Sequence, residues 1–216
     1  MTLSTAFLFT GSVSQIPIRF KREYHKKDLI VAVDGGANIL YKESILPDLI
    51  IGDMDSIQSE VLDFYQDKAE IVTYPKEKDA TDTELALQYC LQKKIAKIVI
   101  YTTTCGRFDQ LFGLISLLFL ARDFSIPVFL ENDDFEVFLA NKKQTLSGKV
   151  GQIISLIPLS EKIENISSEG LKYNLHQEQL LRNTTRGISN VFSENKAFIS
   201  FDRGDLLIVM MPETEQ

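Results

Sequence analysis

Hydrophobic positions along the chain show two textures. Through the first 130 residues, short unbroken apolar runs occupy positions 6–9, 29–33, 49–51, 71–74, 98–101 and 128–130, rich in Ile, Val, Leu and aromatics. Runs of that length suit strands buried on both faces of a parallel sheet. Segments 37–43, 58–66, 82–93 and 108–122 lie between them and are predicted as helices. The firmest helix start is Thr81-Asp82-Thr83-Glu84, a capping box ahead of an apolar-periodic segment. Strands and helices in alternation imply right-handed crossovers and a doubly wound, mostly parallel sheet, an α/β fold.

Beyond Asn132 the pattern changes. Strand-like runs at 135–140, 153–157, 163–167, 197–201 and 206–210 are separated by turn chemistry at Asn141, Gly148, Asn165, Gly170, Asn174, Gly187 and Gly204. No period of 3.6 persists, which favours an antiparallel sandwich or small barrel. The break falls near Glu131–Asp134, giving expected domains of residues 1–132 and 133–216.

Composition narrows the class. The chain has 216 residues, and Lys+Arg 23 against Asp+Glu 30 gives a net charge of −7. That argues against a nucleic-acid partner, which needs a basic surface, yet permits a nucleotide if a divalent metal supplies local positive charge. Cys90 and Cys105 are too few for a disulfide framework and lack metal-ligand spacing. The first ten residues read as a strand, not a secretory signal, and the apolar stretch 111–121 is too short to span a bilayer. The expectation is a cytoplasmic protein without a membrane partner.

Reactive residues collect after four successive predicted strands: Asp34-Gly35-Gly36-Ala37-Asn38, Gly52-Asp53-Met54-Asp55-Ser56, Pro75 to Asp82, and Thr102 to Gln110. In an open parallel sheet those loops share the edge where ligands bind. Asp53 and Asp55, at i and i+2 of an extended chain, can present two carboxylates together, a donor set suited to Mg²⁺. Asp82 is read equally well as a first-turn acid of its helix and as a further ligand, whereas Asp79 lies outside the helix. Arg107 beside Asp109 is either a bidentate phosphate holder or a local ion pair. Gly35-Gly36 allows close backbone approach to a ligand, or simply makes a tight turn. There is no P-loop and no G-x-G-x-x-G fingerprint, and His25 and His176 stand alone. On the residues alone, a Mg²⁺-dependent nucleotide or phosphate-ester hydrolase and a non-catalytic nucleotide-sensing module remain alternatives.

The order and spacing of Asp34-Gly-Gly-Ala-Asn38, Pro47-Asp48 with Gly52-Asp-Met-Asp-Ser56, Lys78-Asp-Ala-Thr-Asp82 and Gly106-Arg-Phe-Asp-Gln110 resemble the thiamin pyrophosphokinase family. Glu169-Gly-Leu-Lys-Tyr-Asn-Leu175 and Thr185-Arg-Gly-Ile-Ser-Asn190 resemble its C-terminal thiamin-binding segments. The resemblance implies a nucleotide- and metal-binding α/β domain, a thiamin-binding β-sandwich, and transfer of pyrophosphate from ATP to thiamin. It also implies a homodimer with shared active sites. By residue, it implies Mg²⁺ among Asp53, Asp55 and Asp82, and ATP contacts from Asp34, Gly36, Asn38, Lys78, Asp79 and Arg107. Asp109 would meet ATP or thiamin at the same edge, and Ser189 and Asn190 the aminopyrimidine. Cys105 stands where a second glycine is common, and Gln110 where histidine is common in bacterial members.

Overall fold

The structure is a computed structural model that describes residues 4–104 and 107–212. Two compact units divide the chain, residues 1–133 and 134–216.

Among the described residues, the first unit carries six strands: β1 (Ser4–Phe9), β2 (Leu29–Val33), β3 (Leu49–Gly52), β4 (Glu70–Thr73), β5 (Ile95–Tyr101) and β6 (Val128–Glu131). They pair in the order β4-β3-β2-β1-β5-β6, parallel throughout. Ala6, Leu8, Val31, Ile50, Ile51, Ile98 and Ile100 are wholly inaccessible, as continuous apolar runs in a two-sided sheet require. The helices that join them are α1 (Ile18–Glu23), α2 (Gly36–Lys42), α3 (Ser59–Tyr65), α4 (Asp82–Leu91) and α5 (Phe108–Leu120), with a 3₁₀ turn at Ala121–Phe124. Thr81 caps α4 as expected, its hydroxyl accepting the Glu84 N–H at 3.2 Å.

Helix α1 does not show in the apolar pattern, since six residues are too few to display a period. It forms because Phe20 packs into an aromatic nest, with ring centroids 5.2 Å from Phe7, 5.0 Å from Phe9 and 6.1 Å from Tyr101. Strand order reverses at β1: β2, β3 and β4 extend to one side, whereas the chain returns to lay β5 and β6 on the other. The carboxyl ends of β1 and β5 therefore flank the crevice where an open α/β sheet takes its ligand.

The second unit is an antiparallel sandwich. One layer orders β7 (Glu136–Leu139), β14 (Leu206–Met210), β9 (Ile153–Pro158) and β12 (Asn190–Val191) as β12-β9-β14-β7. The other orders β11 (Glu178–Leu181), β10 (Lys162–Glu169), β13 (Lys196–Ser200) and β8 (Lys143–Ser147) as β11-β10-β13-β8. Alternation on β9, β10 and β13 turns Ile154, Leu156, Ile163, Ile166, Ala197 and Ile199 inward. Strands β8 and β11, at the edges of their layer, are polar enough to escape the sequence pattern.

Candidate active site

The carboxyl edge of the first sheet is built by its glycines and by two left-handed residues. Asp34 follows β2 with φ 45°, and Met54 follows Asp53 with φ 65°. Such backbone is uncommon outside glycine and clusters at functional sites. A Cβ on Gly52 would lie 2.9 Å from the Asp34 Cβ and 3.3 Å from the Asp82 Cγ, so only glycine lets those two carboxyls close over the end of β3. Gly36 is tighter still, since its Cβ would sit 1.8 Å from the Phe9 carbonyl oxygen. The structure thus gives Gly36 a packing role, seating α2 against the end of β1.

Asp34, Asp53 and Asp82 converge. Each offers a carboxylate oxygen, all within 4.8 Å of one another, and all three residues are half-buried. Lys78 bridges two of them, its Nζ 3.0 Å from Asp82 Oδ1 and 3.4 Å from Asp53 Oδ2. Burial works against the Lys78 charge, but the Asp82 and Asp53 carboxylates overcome it and hold its pKa above the usual lysine value. Asp82 Oδ1 is buried and accepts no aligned hydrogen bond. Three carboxylates against one ammonium are a donor set that fits a hard divalent cation such as Mg²⁺.

Asp55 stands apart from this group. The left-handed Met54 breaks the extended geometry that would have aimed Asp53 and Asp55 together, and Asp53 instead accepts the Asp55 N–H at 3.2 Å. The Asp55 carboxylate pairs with Lys76 at 2.7 Å on the exposed loop, and that hydrogen bond, with Ser56 adding to it, holds its pKa below the usual range. Asn38 staples the same loop: Nδ2 donates to the Ser56 carbonyl at 2.9 Å and Oδ1 accepts the Gln58 N–H at 3.0 Å. Asp79 is exposed ahead of α4 and is not among the three converging acids. Arg107 and Asp109 form the local bidentate pair, Nε to Oδ1 at 3.1 Å and Nη2 to Oδ2 at 2.5 Å, both well exposed. The Arg107 hydrogen bond lowers the Asp109 pKa. Cys105 and Gly106 lie outside the described residues.

In the second unit, Lys172, Tyr173, Thr185, Arg186, Ile188 and Asn190 help line a cavity of about 650 Å³. Asn190 is buried at 3% exposure. Its Oδ1 accepts the N–H groups of Tyr173 at 3.0 Å and Val191 at 2.8 Å, and its Nδ2 donates to the Tyr173 carbonyl at 2.8 Å. The amide expected to meet an aminopyrimidine is therefore engaged with backbone and fixes the Tyr173 turn. Ser189, left-handed at φ 55°, is exposed, and its N–H donates to Ser155 Oγ at 3.1 Å.

Sequence reasoning passed over the place of Asp34 among the converging acids, Lys76 as the partner of Asp55, and the exposed Tyr173 ring. The two glycines that follow Asp34 were the available signal for the first. The others depend on backbone direction that no local pattern announces. Among the described residues, no helix is long and apolar enough to cross a membrane.

Known proteins agree with this architecture. The family profile described as thiamin pyrophosphokinase, catalytic domain, matches residues 20–130, and that described as thiamin pyrophosphokinase, vitamin B1 binding domain, matches residues 141–206. The chain is similar to the thiamine pyrophosphokinase of Bacillus subtilis (strain 168), 30% identical over 184 residues, 84% of this chain and 86% of the relative. It is also similar to thiamin pyrophosphokinase 1 of Caenorhabditis elegans, 27% identical over 209 residues, 91% of this chain and 84% of the relative. The crystal structure of the Bacillus subtilis thiamine pyrophosphokinase superposes with a TM-score of 0.87 at 26% identity, covering 97% of this chain and 100% of that one. A family profile over each part of the sequence and relatives matched along most of their length lead to one assignment: this chain belongs to the thiamin pyrophosphokinase family.

Proposed function

We propose that the chain transfers pyrophosphate from ATP to the hydroxyl of thiamin, giving thiamin diphosphate and AMP. The observation that carries the reading is the convergence of Asp34, Asp53 and Asp82 within 4.8 Å at the sheet edge. The thiamin oxygen attacks the β-phosphorus of ATP, the bond from that phosphorus to the α–β bridging oxygen breaks, and the hydroxyl proton is lost. Phosphoryl-type transfer asks for positioning and charge neutralisation more than for covalent help. Mg²⁺, when bound, supplies the charge that offsets the phosphate oxygens. Asp53 and Asp82 would hold it, with Asp34 as a third carboxylate and Asp55 recruited from its exposed Lys76 pair, which is cheap to break.

Lys78, released from the acids by the cation, would reach phosphate, as would Arg107 at the start of α5. Asp79 and Asp109 line the same group of loops, and Asn38 keeps the Asp53–Gln58 loop in place. The cavity beside Asn190 and Ser189 is the thiamin side, with residues 1–132 serving nucleotide and metal and residues 133–216 serving thiamin. A homodimer with shared sites fits the apolar face of α5, where Phe108 is 72% and Phe112 55% exposed. AMP release from ATP, measured with and without thiamin, tests the proposal. Release that requires thiamin and Mg²⁺ supports it. Release without thiamin points to a hydrolase, and tight nucleotide binding with no release under either condition to a sensor.

A further inference from the structure

Three hydroxyls stand at the point where the sheet reverses its strand order, none of them among the residues assigned above. Thr10 follows β1, Ser12 is two residues on, and Thr102 follows β5. Thr10 Oγ1 lies 3.0 Å from the Tyr101 carbonyl oxygen and 2.8 Å from Ser12 Oγ, which in turn lies 3.2 Å from Thr102 Oγ1. Thr10 and Thr102 are buried at 6% and 2% exposure, while Ser12 is exposed.

Proton counting fixes the direction of this chain. A hydroxyl has one proton to give. The Tyr101 carbonyl can only accept, so Thr10 spends its proton there. Ser12 must then donate to Thr10, and Thr102 must donate to Ser12. Ser12 is left with no proton for a ligand and one lone pair facing solvent. Its partner must therefore be a hydrogen-bond donor. Fully ionised phosphate oxygens only accept, so they are excluded.

The loop also abuts the acid edge, for a Cβ on Gly11 would lie 3.5 Å from the Gly35 Cα, next to Asp34. With the phosphates held at the acids, the next donor along a nucleotide is the sugar. We propose that Ser12 accepts a hydrogen bond from a ribose hydroxyl of the nucleotide and that Thr10 is the positioning residue that aims it. This rests on the assignment of ATP to the same edge.

The test is a binding cycle that needs no turnover. Calorimetric affinities for AMP, 2′-deoxy-AMP and 3′-deoxy-AMP are measured on the wild-type protein, Ser12→Ala and Thr10→Val. The wild type is expected to bind one of the two deoxynucleotides about 10-fold more weakly than AMP, the scale of one lost hydrogen bond. Ser12→Ala should bind AMP about 10-fold more weakly and lose its discrimination against that same analogue, because the two losses share one contact. Thr10→Val frees the Ser12 proton, so the discrimination should shrink while the fold, checked by melting, is retained. Ser12→Ala that keeps the full wild-type discrimination overturns the inference, as does a wild type that binds all three nucleotides alike. If thiamin-dependent AMP release fails while the cycle behaves as expected, the proposed reaction falls and the ribose contact stands.

Discussion

Lys78→Met isolates the electrostatics of the acid edge. Lys78 Nζ lies 3.0 Å from Asp82 and 3.4 Å from Asp53, and its side chain is 14% exposed. At an effective dielectric of about 20, each contact has a gross attraction of about 5 kcal/mol. Desolvation and the ordering of a long side chain cancel most of that, leaving a net of about 1–2 kcal/mol for the bridge. Methionine keeps the length of the stem and removes the charge, so three carboxylates face one another without a cation. In EDTA the melting temperature should fall by about 3–6 °C for a chain of this size. Mg²⁺, bound as proposed, should then act unequally on the two proteins. In the wild type it must displace an ammonium already in place, whereas in the variant it meets open carboxylates. Saturating Mg²⁺ should therefore stabilise Lys78→Met more than the wild type, and the two melting temperatures should converge. Thermal unfolding in EDTA and across a Mg²⁺ titration measures both effects. An unchanged melting temperature in EDTA, or a gap that Mg²⁺ does not narrow, would refute the view that lysine and metal share these carboxylates.

Other expectations follow from the same geometry. Gly36→Ala should destabilise the first unit by about 3 kcal/mol or more, because its Cβ would overlap the Phe9 carbonyl; urea unfolding followed by circular dichroism checks this. Asn190→Ala removes three backbone contacts from a buried amide and should lower stability by about 2–3 kcal/mol. The same variant should raise the KM for thiamin more than that for ATP, since the Tyr173 turn loses its anchor; steady-state kinetics and melting separate the two effects. Asp55→Asn should remove most turnover with little change in melting temperature. If active sites are shared between subunits, mixing that variant with an inactive second-domain variant should restore activity once subunits exchange.

Much of the fold was legible because the signals were redundant. Strands β2 and β3 are apolar on both faces, and the α4 cap is written in four consecutive residues, Thr81 to Glu84. Helix α1 was not legible, because its stability comes from Phe20 meeting Phe7, Phe9 and Tyr101, which are remote in sequence. The edge that gathers the chemistry was legible too, since it follows from strand order and loop position. Which acids meet was not. That depends on the left-handed backbone at Asp34 and Met54, where neither residue type requires it. The i, i+2 argument for Asp53 and Asp55 assumed extended chain one residue beyond the end of β3. Asn190 shows a different limit: a polar residue in a binding segment can serve the binding surface by holding it, and sequence does not distinguish the two uses.

The aromatic face of α5 also has a bearing on how this protein behaves at low abundance. Phe108 and Phe112 lie one helical turn apart with their rings 5.8 Å apart, and both meet solvent when the chain is alone. In the homodimer proposed above, a newly made chain would carry an adhesive stripe until a second copy covered it. If the chains pair in that way, specific activity should fall on dilution below the dissociation constant of the pair, and the stripe should then bind hydrophobic dyes or chaperones. Expression level would thus act as a threshold as well as a dose: too few chains would yield exposed single copies in place of proportionately fewer working enzymes.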